Sequence, residues 1–188
     1  MARAFTVSLP SIVPVLLSPV GVSDPVTTRY AGKKMVLDKL EHKALWDTGA
    51  TACAISSGLV SKLGLLPTGS ANVDTGGGRF IQNTYVIDVW LPNGVIVPDI
   101  RATGSKIEGA DLLIGMDIIS KGDFAVTNYD KKTVFSFRMP SSKKIDFVAE
   151  IKTPAQSSKG PGRNQLCPCG SGKKFKYCDC EQFHPKTK

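Results

Sequence analysis

Apolar runs of only a few residues recur through residues 1–140, and turn-forming residues separate each run from the next. The runs are rich in Val, Ile and Phe, and Gly, Pro or Asn-Gly interrupts them, which is typical of β-strands joined by tight turns. The sequence therefore predicts an all-β domain, with strands at 4–9, 12–18, 33–38, 43–46, 70–75, 79–91, 95–103, 111–114, 123–128 and 133–138.

Turn and cap residues locate the remaining elements of this domain. Residues 92–94 and 128–131 are predicted turns, each between two long apolar runs. Two short helices are expected, at 57–63 and 116–120. Ser56 or Ser57 is the N-cap of the first helix, and Gly64 ends it.

The tripeptide Asp47-Thr48-Gly49 follows directly on the predicted strand 43–46. Gly49 allows a tight turn close to the carboxylate, where a β-carbon would intrude, and the Thr48 hydroxyl can brace the loop. Such tripeptides are common in turns, so this one alone is weak evidence for catalysis. A second segment, 111–117, adds to it: an apolar strand that ends in Gly and leads into a short helix.

Residues 44–55 and 111–119 together resemble the retropepsin family of aspartic proteases, most closely those of long-terminal-repeat retrotransposons and their bacterial relatives. In that family an apolar strand leads into Asp-Thr/Ser-Gly-Ala, and a later Leu-Leu-Gly-Met-Asp segment crosses behind the catalytic loop. The resemblance implies that residues 1–140 form one lobe, a closed β-barrel, with catalytic Asp47 in a loop that Thr48 and Gly49 shape. Viral members often carry Arg at the position of Met116. With Met at this position, the chain lacks one ion pair that is familiar in the family.

The glycine-rich segment 73–81 is predicted to form a flap, a hairpin whose tip closes over substrate. Glycines permit both mobility and a close approach of the backbone to a ligand. An ordinary loop, or an anion nest made by three successive glycine N–H groups, is the alternative. The predicted substrate-binding residues are Ala50, Gly76, Gly77, Gly78, Arg79 and Phe80.

A single catalytic carboxylate requires a second copy of the chain. Aspartic proteolysis uses two carboxylates that share one proton, one acting as base toward water and the other polarising the carbonyl. Asp74-Thr75-Gly76 repeats the tripeptide, but the segment before it is weakly apolar and no matching strand follows, so it is interpreted as an arm of the flap. We therefore expect a homodimer with Asp47 from each subunit on the two-fold axis.

Four residues near the site are assigned more specific roles. Ala50 cannot hydrogen-bond the carboxylate as Ser or Thr would, so activity is expected nearer neutral pH than in Ser-bearing relatives. Cys53 is interpreted as a buried core thiol rather than a redox switch. His42 is expected at the surface, and Asp117 is expected to cap or brace the helix after Gly115.

The last 48 residues differ in composition from the rest of the chain. Residues 141–188 contain ten Lys or Arg and four acidic residues, so they carry +6 of the net +8. Residues 141–162 have the composition of a flexible linker, a cysteine-rich unit follows at 163–182, and 183–188 form a polar tail. Four of the five cysteines lie in that unit, which favours metal binding in a reducing compartment over disulfides.

The pairs Cys167/Cys169 and Cys178/Cys180 flank a Gly-Ser-Gly turn, a spacing that suits a tetrahedral zinc site. So small a unit cannot bury an adequate core, and metal binding would supply its folding energy. The segment 167–176 closely resembles the SEC-C motif, which implies docking to the export chaperone SecB or to ribosomes. Its lysines, which alternate with two aromatic residues, could meet an acidic partner or RNA phosphates. Cys180 is the predicted fourth ligand, with Asp179 and His184 as alternatives; the surface residues for a partner are Lys173, Lys174, Phe175, Lys176 and Tyr177.

These observations predict an aspartic endopeptidase with a structural zinc knuckle for docking, no catalytic cofactor, and polypeptide substrates. The alternative is a non-catalytic dimeric scaffold that binds peptides, with the knuckle as its active part; a third reading is a protease that cuts its own linker. No apolar run approaches the roughly 20 residues that a membrane helix needs. The apolar segment 5–22 is broken by three prolines and is interpreted as strands rather than a signal peptide, so the cytoplasm is the expected location.

Overall fold

The computed structural model describes residues 1–26, 40–75, 78–152, 162–178 and 180. The chain divides into two compact units, Met1–Lys143 and Lys144–Lys188. The first unit is mostly β, as the sequence predicts. Its strands are β1 (Arg3–Ser8), β2 (Leu16–Ser23), β3 (His42–Trp46), β4 (Ala54–Ser56), β5 (Gly69–Thr75), β6 (Gly78–Trp90), β7 (Ile96–Ser105), β8 (Leu112–Ile114), β9 (Asp123–Thr127) and β10 (Val134–Met139).

These strands form two sheets. One contains three strands in the order β1-β10-β9, and the other contains seven in the order β2-β3-β8-β4-β7-β6-β5. Strand β2 also pairs with β6, from Gly21 opposite Trp90 to Ser23 opposite Asp88. Most pairings are antiparallel, but β3 runs parallel to β8, and β4 runs parallel to β7. The parallel β3–β8 pair matters most here, because Asp47 follows β3 directly.

The predicted strands agree with the structure except in two places, and one further predicted strand is not tested. The run expected at 12–18 forms a strand only from Leu16, and that strand continues to Ser23 through Pro19 and Gly21, two residues that normally interrupt strands. Strand β4 was not predicted, because three residues are too few to show an alternating pattern. The strand expected at 33–38 lies outside the described residues.

The two helices that the sequence predicts in the first unit are present, and both are short. The helix Ser57–Leu63 begins after Ser56, whose hydroxyl accepts a hydrogen bond from the Leu59 N–H at 3.2 Å. It ends at Gly64, which has a φ of 62°, a backbone conformation that glycine adopts without strain. The helix Met116–Ile119 follows Gly115, and a 3₁₀ turn, Tyr129–Lys131, joins β9 to β10.

A cluster of aromatic rings connects the two sheets just before Asp47. Trp46 is 5 % exposed, stacks on Phe124 with centroids 5.6 Å apart, and also packs on Phe135 and Phe137 of β10. Its indole N–H donates to the Ser18 hydroxyl at 2.9 Å, so the one polar atom of the ring is satisfied in the core. Because Trp46 is fixed on both its apolar and its polar side, the chain enters the Asp47 loop from a rigid point.

The second unit has little regular structure among its described residues. It contains the helix Phe147–Lys152, a 3₁₀ turn Phe175–Tyr177 and an isolated bridge between Leu166 and Lys174. In neither unit does the described part of the chain contain a helix long and apolar enough to cross a membrane.

Candidate functional site

Asp47 lies at the point where β3 leaves its parallel partner β8. Its N–H donates to the carbonyl of Ile114 at 3.0 Å, which continues the ladder one residue past the strand. The carboxylate is half-buried, and its Oδ1 accepts a hydrogen bond from the Gly49 N–H at 2.8 Å. A β-carbon on Gly49 would lie 3.2 Å from that oxygen, so glycine leaves the carboxylate room to sit against the turn. Thr48, between them, is exposed.

The rest of the Asp47 loop is attached to the residues that follow β8. The Ala50 carbonyl accepts from the Met116 N–H at 2.8 Å, and the Ala50 N–H donates to the Asp47 carbonyl at 3.3 Å. Gly115 lies against the backbone of Ala52. The segment that the sequence placed behind the loop therefore contacts it directly.

Cys53 is fully buried, as expected for a core thiol. Its N–H donates to Asp117 Oδ2 at 3.0 Å and its Sγ to Asp117 Oδ1 at 3.1 Å. Burial, and then the neighbouring Asp117 charge, raise the pKa of the Cys53 thiol, so it stays protonated. Asp117 Oδ1 also accepts from the Ile118 N–H at 3.0 Å. Asp117 thus braces its own helix, as predicted, but it also holds Cys53, a contact that no local pattern in the sequence indicates.

The expectation that His42 lies at the surface is wrong. The residue is only 8 % exposed, because it is the first residue of β3 and pairs there with Val20 of β2. Burial, followed by the charge of Lys62, lowers the pKa of His42. The exposure of His42 is decided by its packing against β2. The sequence predicted this strand at 12–18, too early in the chain to include Val20, the residue that pairs with His42.

The predicted flap segment forms an antiparallel hairpin between β5 and β6, with Asp74 opposite Arg79 and Thr75 opposite Gly78. Gly78 has a φ of 119°, which favours glycine. Gly76 and Gly77 lie outside the described residues. Arg79 donates to both carboxylate oxygens of Asp74, at 2.7 and 3.2 Å, and both side chains are exposed. Asp74 is therefore an ion-paired residue of a hairpin arm.

Phe80 is the next residue of this hairpin, opposite Val73. Phe80 is 48 % exposed although it is a large apolar residue, while Val73 is half-buried. Residues two apart on a strand share a face, so Phe80 lies on the opposite face from Arg79. The hairpin thus has one charged face and one face with an aromatic side chain.

In the second unit the four predicted metal ligands lie together. Their Sγ atoms are all within 4.8 Å of one another, and Cys167–Cys180 and Cys169–Cys178 are each 3.4 Å apart. Tetrahedral zinc–thiolate bonds of about 2.3 Å require sulfur atoms roughly 3.8 Å apart, so this donor set fits such an ion. The cluster could hold a metal, with Cys180 in the position that the sequence prediction gave it.

Hydrogen bonds shape the chemistry of these thiols. The Ser171 hydroxyl lies 3.2 Å from Cys169 Sγ and 3.4 Å from Cys178 Sγ. The hydrogen bond to Ser171 is the largest of the causes that lower the pKa of Cys169 to about 6, and it is also the largest cause that lowers the pKa of Cys178. Burial, in contrast, raises the pKa of Cys167 to about 12. The sequence indicates Ser171 only as part of a turn, and the contact of its hydroxyl with two thiols depends on how the unit folds.

Basic and aromatic side chains lie on the outside of the cysteine cluster. The Lys176 ammonium lies 4.8 Å from the centre of the Tyr177 ring, and Tyr177 is 66 % exposed. Lys173 and Lys174 are exposed beside it. Four of the five residues expected to meet a partner are therefore exposed within the second unit, and Phe175 is half-buried.

Family comparisons agree with both halves of this description. Residues 34–121, which include the Asp47 loop, the β5–β6 hairpin and β8, match the family model described as gag-polyprotein putative aspartyl protease. Residues 163–182 match the SEC-C motif. The chain thus joins a retropepsin-like region to a SEC-C motif. The first match contains Asp47, and the SEC-C match contains all four clustered cysteines.

Curated relatives match over short stretches of this chain. The protein translocase subunit SecA of Pelodictyon phaeoclathratiforme is 66 % identical over 29 residues, 15 % of this chain and 3 % of that protein. The uncharacterized protein YecA of Escherichia coli is 57 % identical over 28 residues, 15 % of this chain and 13 % of that protein. The chain thus spans only a small part of the length of these relatives.

Among solved structures, a retropepsin-like aspartic protease from Rickettsia conorii is similar at 14 % sequence identity and a TM-score of 0.45. The alignment covers 74 % of this chain and 96 % of that one.

Proposed function

We propose that this chain is an aspartic endopeptidase that works as a homodimer, with Asp47 of each subunit forming the catalytic pair. The observation that carries the proposal is the Asp47-Thr48-Gly49 loop, which ends β3 and hydrogen-bonds to Ile114 at the end of β8. Both segments lie inside the region that matches an aspartyl protease family. Asp47 is half-buried and, within the described residues, its carboxylate accepts a hydrogen bond from the Gly49 N–H alone.

In the proposed mechanism one Asp47 carboxylate is ionised and its counterpart across the two-fold axis is protonated. The ionised group takes a proton from a water molecule as that water attacks the scissile carbonyl carbon, and the protonated group donates to the carbonyl oxygen. As the C–N bond breaks, the carboxyl group that took the water proton gives it to the leaving amine, and the hydroxyl of the tetrahedral intermediate returns its proton to the other carboxylate. Like charges so close do not both ionise easily, which keeps the shared proton in place.

The retropepsin-like region is proposed to be one closed barrel lobe of the dimer, a reading that the β2–β6 pairing supports. The β5–β6 hairpin is the proposed cover of the cleft. Gly78, Arg79 and Phe80 would contact substrate from above, together with Gly76 and Gly77, and Ala50 would contact it from the loop. The aromatic side chain of Phe80 offers an apolar contact to a peptide side chain, which supports this role.

The SEC-C motif is proposed to bind one structural Zn²⁺ through Cys167, Cys169, Cys178 and Cys180. The ion would supply the folding energy that so small a unit lacks. Exposed Lys173, Lys174, Lys176 and Tyr177 would then form the docking surface for SecB, a ribosome or RNA. Thiolate ligands need a reducing compartment, so the cytoplasm is the proposed location.

The deciding experiment compares the zinc-loaded parent with Asp47→Asn on a mixed peptide library between about pH 4 and 8, with and without pepstatin. Asp130→Asn is the matched control, because it removes the same charge from an exposed turn where asparagine adopts the observed φ of 54°. We expect cleavage by the parent and Asp130→Asn, inhibited by pepstatin, and none by Asp47→Asn. Absence of cleavage by all three proteins, each shown to be a folded dimer, would instead favour the non-catalytic peptide-binding scaffold.

A further inference from the structure

The Asp47 loop is attached to the end of β8 and to the residues just after it, at three successive points. Asp47 itself bonds Ile114, Ala50 bonds Met116, and Cys53 bonds Asp117. The first two contacts join backbone to backbone and would form with almost any side chains. The third contact depends on the side chain of Asp117. Of the three, it is therefore the one that a substitution of a single side chain can remove.

Cys53 offers Asp117 two donors at once, the backbone N–H at 3.0 Å and the thiol at 3.1 Å, one to each carboxylate oxygen. Its carbonyl accepts from the Thr103 N–H of β7 at 3.1 Å, so both sides of its backbone are engaged. Since Cys53 is 0 % exposed, no water competes for the thiol proton. A protonated thiol is a donor here, and the raised pKa of Cys53 agrees with that state.

We propose that Asp117 is a positioning residue for the Asp47 loop and that it acts through the amide and thiol of Cys53. The inference rests on the proposed function, because it concerns the geometry of the same carboxylate pair. Each Asp47 must face its counterpart across the two-fold axis, and a displacement of about 1 Å can cost roughly a hundredfold in rate. Asp117 touches neither water nor peptide in this proposal, so it is not itself a catalytic residue.

A carboxylate suits this position for a geometric reason. It has two acceptor oxygens and meets three donors, from the Cys53 N–H, the Cys53 thiol and the Ile118 N–H. An asparagine has one acceptor oxygen, and its NH₂ group would face one of those donors. Asp117→Asn therefore keeps the shape but breaks part of the contact, while Cys53→Ser keeps a donor and Cys53→Ala removes it.

The test measures kcat and KM separately on one peptide that the parent cleaves. We expect Asp117→Asn and Cys53→Ala to lower kcat by about tenfold with KM within twofold, since loop geometry and not peptide binding is disturbed. Cys53→Ser should stay within about threefold of the parent. The double variant Cys53→Ala/Asp117→Asn should fall no further than Asp117→Asn alone, because both changes break one contact.

A second readout does not depend on activity. Amide hydrogen exchange over residues 48–53 should be faster in Asp117→Asn than in the parent and unchanged in the control Asp130→Asn, with all proteins dimeric. Parent-like exchange and kcat in Asp117→Asn, or an equal loss of kcat in Cys53→Ser and Cys53→Ala, would overturn the inference. An inactive parent with faster exchange in Asp117→Asn would refute the proposed activity but support the positioning contact.

Discussion

Gly115 packs on the backbone of Ala52 so closely that a β-carbon on Gly115 would lie 2.7 Å from both the carbonyl carbon and the carbonyl oxygen of Ala52. Neither partner can move alone, since Gly115 joins β8 to the next helix and Ala52 lies between the two hydrogen-bonded residues Ala50 and Cys53. This contact fixes how deeply the Asp47 loop sits against β8.

Gly115→Ala is therefore expected to lower the free energy of unfolding by about 1–3 kcal/mol, the usual cost of overpacking, and to reduce peptide cleavage. Gly58→Ala is the matched control, because a β-carbon at Gly58 meets nothing within 4 Å and the residue lies in the helix Ser57–Leu63. The control should be more stable than the parent by about 0.5–1 kcal/mol. Urea denaturation of the two variants measures both changes, and a parent-like midpoint for Gly115→Ala would contradict this packing.

Ala50→Ser should move the acidic limb of the pH–rate profile to lower pH. A serine hydroxyl beside the carboxylate pair donates to the ionised form and favours it, which alanine cannot do. The parent is accordingly expected to retain activity toward neutral pH. Measuring kcat/KM of both proteins on one peptide from about pH 3 to 8 tests the prediction. A parent profile confined below about pH 4 would contradict it.

Metal binding by the SEC-C motif should depend on the four clustered cysteines. We expect about one zinc ion per chain in the parent, and a loss of bound zinc in both Cys169→Ser and Cys180→Ser. Cys53→Ser, which changes a fully buried thiol of the other unit, is the control and should keep its zinc. Metal content after dialysis is the measurement. Retention of zinc by Cys180→Ser with its loss in His184→Gln or Asp179→Asn would identify a different fourth ligand.

Stability of the first unit should depend on Asp123 in a pH-dependent way. Hydrogen bonds from the Ser141 hydroxyl, the Ser142 N–H and Arg138, in that order, hold the pKa of Asp123 well below its ordinary range. Because the folded pKa is depressed, the stabilisation is fully present above the unfolded value of about 3.9 and is lost as the pH falls below it. Asp123→Asn should thus be less stable than the parent at pH 7, with the difference shrinking below about pH 4.

Urea denaturation at several pH values between about 2.5 and 7 measures that difference. Glu108→Gln is the comparison variant, because Glu108 faces Lys106 at 3.9 Å with both side chains 90 % exposed. Such an exposed pair contributes little, so this variant should match the parent throughout. A constant gap between Asp123→Asn and the parent across the whole range would argue against an ionised, hydrogen-bonded Asp123.

Local patterns were sufficient to predict the long strands and the turns of the first unit. The run predicted at 79–91 forms β6 at Gly78–Trp90, and the residues 92–94 form the predicted turn, because alternating burial and turn chemistry are properties of neighbouring residues. The same holds for the Ser56 cap and for Gly64. The cysteine spacing predicted the cluster for the same reason, since its ligands are close in sequence.

Contacts between segments that are distant in the chain could not be predicted from such local patterns. Cys53 and Asp117 are 64 residues apart, and nothing in either segment indicates that a carboxylate meets a thiol. The burial of His42 depends on the register of β2 against β3, and Gly115 looks like an ordinary strand end until Ala52 is placed beside it. Such features can be identified only from the three-dimensional structure, because packing between elements overrides the local conformational preferences of each element.

In the three-stranded sheet, Arg3 of β1 lies directly opposite Met139 of β10, so the first unit begins and ends side by side. Antiparallel neighbours of this kind can be joined by a loop of two to five residues. The exposed turn Tyr129–Lys131 offers a place for new chain ends between β9 and β10. The order of strands along the chain is thus separable from their arrangement in space, and a circularly permuted first unit would keep every pairing around Asp47.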